Sequence, residues 1–491
     1  MASRPPIVIV GAGFAGLCMA IELRRRGVDD LLILEADDEV GGTWRDNTYP
    51  GCACDIPSHL YSFSFEQNPR WSRAYSPQAE IQDYLVGCTE KYGLYERIRF
   101  GVQIQALEFE DEHQRWAVES SDGRRFEARA VVLAIGGLSR PKIPDIPGLS
   151  SFEGPAFHSA RWDHDVDLEG KRVGLVGTGA SAVQIASALA DEVDELTIFQ
   201  RTPPWVMPRP NPSYSEWTKR LFETVPGLQR LYRSSIYLRQ EAYATGFVGD
   251  RRILGLLEWF GHRYRKQAIA DDELRDKVTP DYPMGCKRIV FSDDYYPTLT
   301  RHNVQLVDAA VASVEPRSVV DADGRSHDLD ALVLATGFHV TDFLESYRVQ
   351  GRGDLSLHEA WSDGAQSYYG INTAGFPNLF MMVGPNTGLG HNSIVFMIEA
   401  QAHLIGQALE VVDEGDPWSV VEVRRDVQRR FNDWIQRRSR DTVWLSGCDS
   451  WYLDEGKNTT LWPSYTVEYW RQTRRLERDD FLIHPAEIDD L

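Results

Sequence analysis

The chain has 491 residues, a length that allows roughly two to four domains. Hydrophobic residues make up 42% and charged residues 25% of it, which is ordinary for a globular protein and excludes a disordered, collagenous or coiled-coil chain. With 52 Lys and Arg against 73 Asp and Glu, the formal net charge is −21, which argues against a general binder of nucleic acid or of anionic membranes. Such a chain repels phosphates overall, so any phosphate site must be built locally.

Nothing in the sequence predicts export or a membrane span. No apolar stretch approaches the roughly 20 residues of a span, and the apolar run at 7–10 is too short for the core of a secretory signal. The six cysteines are too few for a disulfide framework in so long a chain. They are Cys18, Cys52, Cys54, Cys88, Cys286 and Cys448. We therefore predict a cytoplasmic protein with reduced thiols, and no motif predicts a metal site.

The first 35 residues follow the order strand, glycine turn, helix, strand. An apolar strand at 7–10 leads into the turn at 11–16, a helix follows at about 17–26, and a second strand at 31–34 ends on Glu35. This order is typical of the start of a βαβ unit. Further strands are predicted where segments are apolar or alternating, at 102–109, 116–120 and 131–135.

The same order restarts after a proline-rich linker at 141–147. Its predicted elements are a strand at 173–176, a glycine turn at 177–182, a helix at 183–189 and a strand at 196–199. The rest of the chain predicts a helical insertion at 213–278, strands at 304–307 and 331–334, a glycine-rich loop at 384–390 and a buried helix at 392–412. The repeated unit predicts an α/β fold with two Rossmann-like dinucleotide-binding domains.

Each glycine turn follows an apolar strand and opens a helix, which is the context that a dinucleotide-binding motif needs. The first glycine permits the tight turn, the second lets the backbone approach a pyrophosphate, and the third position keeps helix and strand close. The helix N-terminus then binds the phosphates through its free N–H groups and its dipole. Both turns in this context favour two nucleotide sites over two empty turns.

The residue that ends the second strand distinguishes the two sites. Glu35 lies 24 positions after Gly11, and Arg201 lies 24 positions after Gly177. A carboxylate at this place accepts hydrogen bonds from a ribose 2′-OH, whereas an arginine suits a 2′-phosphate by charge and by its fork geometry. The first site is therefore expected to bind an adenosine with a free ribose, such as FAD or NAD, and the second to bind NADPH, with Thr202 as an additional hydroxyl donor. The chain would then be a flavoenzyme reduced by NADPH.

These assignments divide the chain into three parts. We expect residues 1–148 to form the first part of the FAD-binding domain and residues 149–325 to form the NADP-binding domain with the helical insertion. Residues 326–491 are expected to complete the FAD-binding domain and to add a C-terminal segment.

Two further segments resemble the fingerprints of Baeyer–Villiger monooxygenases. Residues 41–55 read GGTWRDNTYPGCACD, which fits GGxW, four residues, Tyr or Phe, Pro-Gly, three residues and Asp. Residues 152–163 read FEGPAFHSARWD, and every fixed position of the second fingerprint, FxGxxxHxxxW followed by Pro or Asp, is present. Flavin reductases that use a dithiol instead resemble GGTC here, so Trp44 disfavours disulfide reduction. The resemblance covers essentially the whole chain.

The resemblance implies an NADPH- and O2-dependent flavoprotein monooxygenase that converts ketones to esters or lactones, with sulfoxidation left open as a further activity. In this family NADPH reduces FAD, O2 adds to the flavin at C4a, and the peroxyflavin attacks the ketone carbonyl. Such chemistry needs a dry site that keeps the peroxide deprotonated. The expected partners are O2 and an apolar ketone, which is cyclic, aromatic or aliphatic, and the sequence gives no oligomeric state.

The resemblance also implies the roles of individual residues. Arg288 would stabilise the peroxide anion and the oxyanion of the adduct, because a guanidinium holds its proton. Asp55 would orient Arg288 by an ion pair, and Lys287 would help Arg201 to bind the 2′-phosphate. The second fingerprint would couple cofactor movement to oxygenation. Its gating residues are Phe152, Gly154, His158, Trp162 and Asp163.

The predicted cofactor-binding residues lie in the two glycine turns, after the second strand of each unit, in and just after the first fingerprint, beside Arg288 and in the late glycine-rich loop. It comprises Gly11, Gly13, Phe14, Ala15, Gly16, Glu35, Gly42, Thr43, Trp44, Asp55, Tyr61, Gly177, Thr178, Gly179, Ala180, Ser181, Arg201, Thr202, Lys287 and Asn386. Two alternatives stay open from the sequence. One is an N- or S-oxygenating flavin-containing monooxygenase, and the other is an NADPH-flavin reductase or electron carrier that serves a protein partner.

Overall fold

The structure is a computed structural model that describes residues 4–249, 251–341, 344, 346–415, 417–447, 450 and 452–486. We number strands and helices in chain order within this part. Two five-stranded sheets dominate, and all strand pairs within each of them are parallel. Four of their ten strands are buried along their whole length, as the continuous apolar sequence of parallel strands predicts.

The first sheet is built around the strand that precedes the first glycine turn. Its order is β19 (Leu379–Met381), β7 (Ala130–Leu133), β1 (Ile7–Val10), β2 (Leu31–Leu34) and β3 (Ile98–Arg99). The strands predicted at 7–10 and 31–34 are confirmed, whereas β19 comes from a segment with no strand prediction. The first part of the chain and a late segment therefore contribute to the same sheet.

The second sheet repeats this arrangement around the second glycine turn. Its order is β8 (Ala156–His158), β17 (Ala331–Leu334), β9 (Arg172–Val176), β10 (Glu195–Phe199) and β13 (Val304–Val307). The strand β17 pairs with β9 from Ala331 to Leu334, although the expected domain boundary falls after residue 325. That boundary is too early, because a strand central to the second sheet cannot belong to the first domain.

The remaining strands form smaller sheets and ribbons around these two. They are β4 (Ile104–Glu110), β5 (Arg115–Ser120), β6 (Arg125–Ala128) and β18 (Arg348–Gln350) in one sheet; β14 (Val311–Glu315), β15 (Ser318–Asp321) and β16 (Ser326–Asp328) in another; and the pairs β11 (Val206–Met207) with β12 (Val290–Phe291), β20 (Ser419–Val423) with β23 (Phe481–Pro485), and β21 (Leu453–Asp454) with β22 (Lys457–Asn458).

The helices cover the sheets and form the predicted insertion. They are α1 (Phe14–Arg25), α2 (Thr43–Asp46), α3 (Gln78–Lys91), α4 (Ala180–Leu189), α5 (Glu216–Thr224), α6 (Leu228–Val248), α7 (Arg251–Ala268), α8 (Asp272–Lys277), α9 (Tyr295–Leu299), α10 (Leu357–Ala360), α11 (Ile394–Asp413), α12 (Arg425–Ser439) and α13 (Thr466–Gln472). Four of them, α5 to α8, make up the insertion expected at 213–278. Both Rossmann helices begin earlier than predicted, at Phe14 and Ala180, because the last residues of each turn already belong to the helix.

The helix α11 packs against α1 in the core. By length and composition α11 is the one helix within the described residues that could cross a membrane, but 67% of its most apolar window is buried inside the protein. The expectation that no apolar stretch approaches this length is therefore wrong, while the prediction of a buried helix is confirmed. Burial against α1 explains the apolar composition without a membrane.

The cysteines depart from the prediction at one position. Cys18, Cys52, Cys54 and Cys88 are free and buried, but Cys286 is disulfide-bonded, so the expectation of reduced thiols is wrong for Cys286. Cys448, which the same expectation included, lies outside the described residues. Composition could not reveal this bond, because pairing depends on which distant segments the fold brings together.

Candidate active site

The first glycine turn leaves room at one glycine and none at the other two. A Cβ on Gly11, whose φ is +101°, would lie 2.6 Å from the carbonyl oxygen of Ala134, and a Cβ on Gly16 would lie 1.9 Å from that of Gly11. A Cβ on Gly13 would meet its nearest atom, the Cα of Gly42, only at 3.8 Å. Packing therefore explains the outer glycines but not Gly13, where a ligand is the remaining reason for a bare backbone.

The second turn shows the same contrast. Gly177 has a φ of +119°, and its Cβ would lie 2.4 Å from the carbonyl oxygen of Ala335. Gly179 is exposed, and a Cβ built on it would meet no described atom within 4 Å. As glycines, Gly13 and Gly179 cannot cap α1 and α4 with a side chain, so the N–H groups of each first turn can bind an anion. Both cradles thus fit the pyrophosphate of a dinucleotide.

Glu35 is held firmly at the end of β2. The residue is only 5% exposed, and its Oε2 accepts a hydrogen bond of 2.7 Å from the backbone N–H of Ala12 in the first glycine turn. Its Oε1 accepts from the N–H of Asp37 at 3.1 Å and from Arg45 Nη1 at 3.0 Å. A carboxylate has about four acceptor positions, so one remains for a ribose hydroxyl.

Arg201 occupies the corresponding place at the end of β10, but its side chain is exposed. The backbone carbonyl of its neighbour Thr202 accepts a hydrogen bond of 2.9 Å from the hydroxyl of Thr178 in the second glycine turn. Lys287 places its ammonium 5.1 Å from the ring centroid of Tyr282, and the Tyr282 hydroxyl donates to the carbonyl of Pro203 at 2.9 Å. The segments that carry the two predicted phosphate-binding cations are therefore tied together.

Arg288 and Asp55 form an ion pair across 233 positions of sequence. Arg288 Nη2 lies 2.5 Å from Asp55 Oδ2, and Nη1 donates to the carbonyl oxygen of Leu389 at 3.4 Å. The carboxylate charge of Asp55 raises the pKa of Arg288 and outweighs the opposing effect of burial. The guanidinium is therefore a fixed positive charge and cannot serve as a proton donor at neutral pH.

The first fingerprint packs against the first glycine turn. Trp44 is buried, and its Nε1 donates a hydrogen bond of 3.1 Å to the hydroxyl of Tyr61. The Tyr61 ring stands edge-on to Phe14, the first residue of α1, with 5.2 Å between centroids. A Cβ on Gly42, which precedes Thr43, would approach the Cα of Gly13 to 3.3 Å. These residues thus lie together beside the first turn.

The rest of this fingerprint reaches the second unit. Gln184 on α4 accepts from the hydroxyl of Tyr49 at 3.1 Å and from the backbone N–H of Ala53 at 3.3 Å, and its Nε2 donates to the Ala53 carbonyl at 3.0 Å. The loop that ends at Asp55 is therefore mounted on the helix of the second glycine turn. Sequence reasoning missed Gln184, because a glutamine in a helix carries no signal of such a contact.

The second fingerprint contains one buried histidine. His158 ends β8, and its Nδ1 accepts from the N–H of Ala160 at 3.1 Å, while its buried Nε2 has no hydrogen-bond partner among the described residues. Burial lowers the pKa of His158, so the ring is neutral at pH 7. The ring stands edge-on to Phe338 at 5.7 Å, next to the end of β17. This environment suits a structural or gating residue rather than a proton carrier.

Packing accounts for other positions of the second fingerprint. Trp162 stands edge-on to Phe157 at 5.0 Å, Phe152 lies in an apolar cluster under the second sheet, and a Cβ on Gly154 would lie 2.3 Å from the carbonyl oxygen of Asp330. Asp163 is exposed, and its carboxylate accepts from the N–H of Asp165 at 3.0 Å.

The two fingerprints also touch each other. The hydroxyl of Thr48 lies 2.8 Å from His164 Nε2, and Arg161 pairs with Asp46 at 3.5 Å.

Asn386 belongs to the late glycine-rich loop and is buried. Its Nδ2 donates to the carbonyl oxygen of Asn458 at 2.7 Å, and its backbone N–H donates to the carbonyl oxygen of Thr459 at 3.0 Å. The φ of Asn386 is +60°. The structure therefore shows Asn386 tying this loop to the C-terminal segment, and direct cofactor contact remains a prediction. A separate cavity of about 470 Å³ between α1, α6 and α11 is lined by none of the predicted site residues.

Comparisons with known proteins agree with this geometry. The family profile described as pyridine nucleotide-disulphide oxidoreductase matches residues 8–238. A Baeyer-Villiger monooxygenase from Pseudomonas aeruginosa is 44% identical over 474 residues, which cover 96% of this chain and 90% of the relative. Among solved structures, a cyclohexanone monooxygenase from Rhodococcus sp. Phi1 bound to NADP+ superimposes with a TM-score of 0.88 at 27% identity, covering 98% of this chain and 99% of the other. A structure of OTEMO in complex with FAD and NADP gives 0.89 at 25% identity, covering 99% and 100%.

Proposed function

Since this chain belongs to the Baeyer–Villiger monooxygenases and uses FAD and NADPH, we propose that Arg288 and Asp55 form the catalytic centre at which it oxidises a ketone. The observation that carries the proposal is their ion pair of 2.5 Å, made by two segments that resemblance to the family singles out separately. FAD, held at the first glycine turn, would supply the redox chemistry that accepts electrons from NADPH and activates O2.

Arg288 contributes a fixed charge to the reaction. Negative charge develops on oxygen when the ketone carbonyl is attacked, and a cation held in place beforehand stabilises that charge without having to reorganise. Asp55 holds the guanidinium on one side and the Leu389 carbonyl holds it on the other, so its orientation is set before substrate binds. Arg288 is thus an electrostatic group and does not move a proton.

We assign FAD to the first glycine turn and NADPH to the second. The buried Glu35 carboxylate beside Ala12 supports a free ribose at the first turn, where a 2′-phosphate would be repelled. The exposed Arg201 supports a 2′-phosphate at the second turn, with Thr202 and Lys287 nearby on connected segments. The contacts between the two fingerprints support a role of residues 152–163 in coupling the domains, with the buried His158 and the half-buried Trp162 at its centre.

The expected substrate is an apolar ketone in a cytoplasmic enzyme. Beside Arg288 the chain carries a buried apolar cluster that includes Phe247, Met284, Val443 and Trp444. Such walls bind a ring or an alkyl chain and keep water from the fixed charge. A solved relative is named a cyclohexanone monooxygenase, which supports cyclic ketones as the first class to test.

A coupled assay tests the role of Arg288. The purified enzyme is given NADPH, O2 and cyclohexanone, and the lactone is measured against the NADPH consumed. We expect Arg288→Ala to lower lactone per NADPH at least about 100-fold, because the fixed charge is gone. The matched control is Arg301→Ala, since Arg301 pairs with the exposed Asp191 away from the site and should leave the ratio unchanged. An equal yield of lactone per NADPH for the wild type and Arg288→Ala would contradict the proposal.

A further inference from the structure

A buried glutamate in the helical insertion joins three parts of the chain. Glu241 lies on α6 and is 9% exposed. Its carboxylate accepts hydrogen bonds from Asn392 Nδ2 at 2.9 Å, from the Thr466 hydroxyl at 2.7 Å and from the Val467 N–H at 3.1 Å. The insertion, the late glycine-rich loop and the start of α13 therefore meet at one carboxylate.

The carboxylate of Glu241 is charged despite its burial. Burial favours the protonated form, but the donors around the carboxylate, together with His391, outweigh that effect and lower the pKa of Glu241. His391 Nε2 lies 3.8 Å from Glu241 Oε2, and the imidazole is fully buried with no hydrogen bond at either nitrogen among the described residues. Burying a charge costs free energy, so a buried carboxylate that stays charged needs a functional explanation.

The loop that Glu241 holds is the loop that contacts the catalytic arginine. The Leu389 carbonyl, which accepts from Arg288 at 3.4 Å, lies two residues before His391 and three before Asn392. Later on α6, Phe247 covers Gly285, where a Cβ would come within 2.3 Å of the Phe247 ring. Gly285 is three residues before Arg288. One helix therefore touches both the segment that carries Arg288 and the loop that supplies its carbonyl partner.

We propose that Glu241 is a positioning residue for Arg288, acting through Asn392 and the 389–392 loop to fix the carbonyl that orients the guanidinium. The inference rests on the proposed role of Arg288. Glu241 would make the 389–392 loop rigid, because a loop anchored by a charge-assisted hydrogen bond keeps the Leu389 carbonyl within reach of Arg288 during turnover. The helical insertion thereby helps to hold the Arg288 guanidinium in position.

The test replaces Glu241 with glutamine, which keeps the volume but puts an amide N–H where a carboxylate oxygen meets a donor. Glu399→Gln is the matched control, because Glu399 is another carboxyl acceptor inside the fold that binds the N–H and hydroxyl of Ser64 at 2.6 Å, and within the described residues it makes no hydrogen bond to the 389–392 loop. Lactone per NADPH, anaerobic flavin reduction by NADPH, FAD content and thermal stability are measured for both variants.

We expect Glu241→Gln to lower lactone per NADPH at least about fivefold while the anaerobic rate of flavin reduction stays within about twofold of the wild type. Glu399→Gln should lose comparable thermal stability and keep the wild-type ratio. If both variants lower the ratio equally, or if neither does, Glu241 has only a structural role and the inference is overturned.

A second pair of variants covers the case in which Glu241→Gln does not fold. Thr466→Val removes one donor to Glu241, whereas Thr466→Ser keeps the hydroxyl, so serine should retain the lactone ratio that valine loses. Equal ratios for serine and valine would overturn the inference. Arg288→Ala separates this failure from that of the proposed function: if Arg288→Ala itself keeps the ratio, the catalytic role of Arg288 is wrong, whatever Glu241 variants do.

Discussion

The two glycine turns are built alike and differ in how the residue after the second strand is held. Glu35 is buried and already binds Ala12, Asp37 and Arg45, whereas Arg201 is exposed and makes no hydrogen bond or ion pair within the described residues. The first turn thus offers its ligand a rigid acceptor, and the second offers a cation that the ligand itself must order. Ordering a long side chain costs free energy on each binding event.

This difference suits one cofactor that stays and one that exchanges. A preformed site binds tightly because little freedom is lost, while a site that is completed by its ligand binds less tightly and releases it more readily. The chain uses FAD and NADPH, and NADPH that has been oxidised must be replaced before the next turnover. The contrast between Glu35 and Arg201 therefore supports the proposed assignment of FAD to the first turn and NADPH to the second, and substitutions at each turn test it.

The largest effect is expected from Gly16→Ala. The new Cβ would lie 1.9 Å from the carbonyl oxygen of Gly11, and backbone at both ends of this contact cannot move aside without separating α1 from β1. We expect a loss of about 3 kcal/mol or more in the free energy of unfolding, together with loss of bound FAD. Thermal unfolding and the flavin absorbance of the purified variant measure both.

Gly179→Ala is the corresponding change at the second turn, and its effect is expected to be on binding alone. A Cβ here meets no described atom within 4 Å, so the variant should keep its stability and its FAD. The methyl group would occupy the approach to the pyrophosphate, and we expect the KM for NADPH to rise at least about tenfold. A variant with unchanged KM would show that no pyrophosphate lies against Gly179.

The sequence predicted correctly those features of the two units that depend on local sequence order. The strands at 7–10, 31–34 and 331–334 have the predicted bounds, because a buried parallel strand needs a continuous apolar run, and the less buried strand at 304–307 has them too. The strand β19 was missed, since three residues among other apolar segments carry no period. The boundary after residue 325 was misplaced because strand order, which puts β17 beside β9, is set by long-range pairing.

The site shows the same limit. The equal spacing to Glu35 and Arg201 is local and was readable, but the pairing of Asp55 with Arg288 was expected only from resemblance to a family. Gln184 and Glu241 were not singled out at all. Each is an ordinary polar residue on a helix, and each acquires its role from a loop more than 100 positions away. Contacts of this kind are decided by the folded topology rather than by any local pattern.

A smaller effect is expected from Arg201→Ala, which removes the exposed cation but no packing. The KM for NADPH should rise about tenfold, while that for NADH, which lacks the 2′-phosphate, should change less than about twofold. Steady-state rates with each cofactor give the two values, and Arg317→Ala, which changes another exposed arginine, is the control. Equal increases for both cofactors would remove the 2′-phosphate role from Arg201.

The smallest effect is expected from a change of ionic strength. The salt dependence of the KM for NADPH shows whether the few cations of the second turn or the net charge of −21 dominates binding. At an ionic strength of about 0.01 M charges act over about 30 Å, so the whole acidic protein repels NADPH; at about 0.1 M they act over about 10 Å. If Arg201 and Lys287 dominate, added salt should raise the KM for NADPH by about twofold to threefold relative to that for NADH, which lacks the 2′-phosphate. The opposite sign, a KM for NADPH that falls with salt, would mean that the overall charge outweighs the local site. Arg201→Ala should weaken the salt dependence, because salt screens the charge of an exposed cation and only Lys287 then remains.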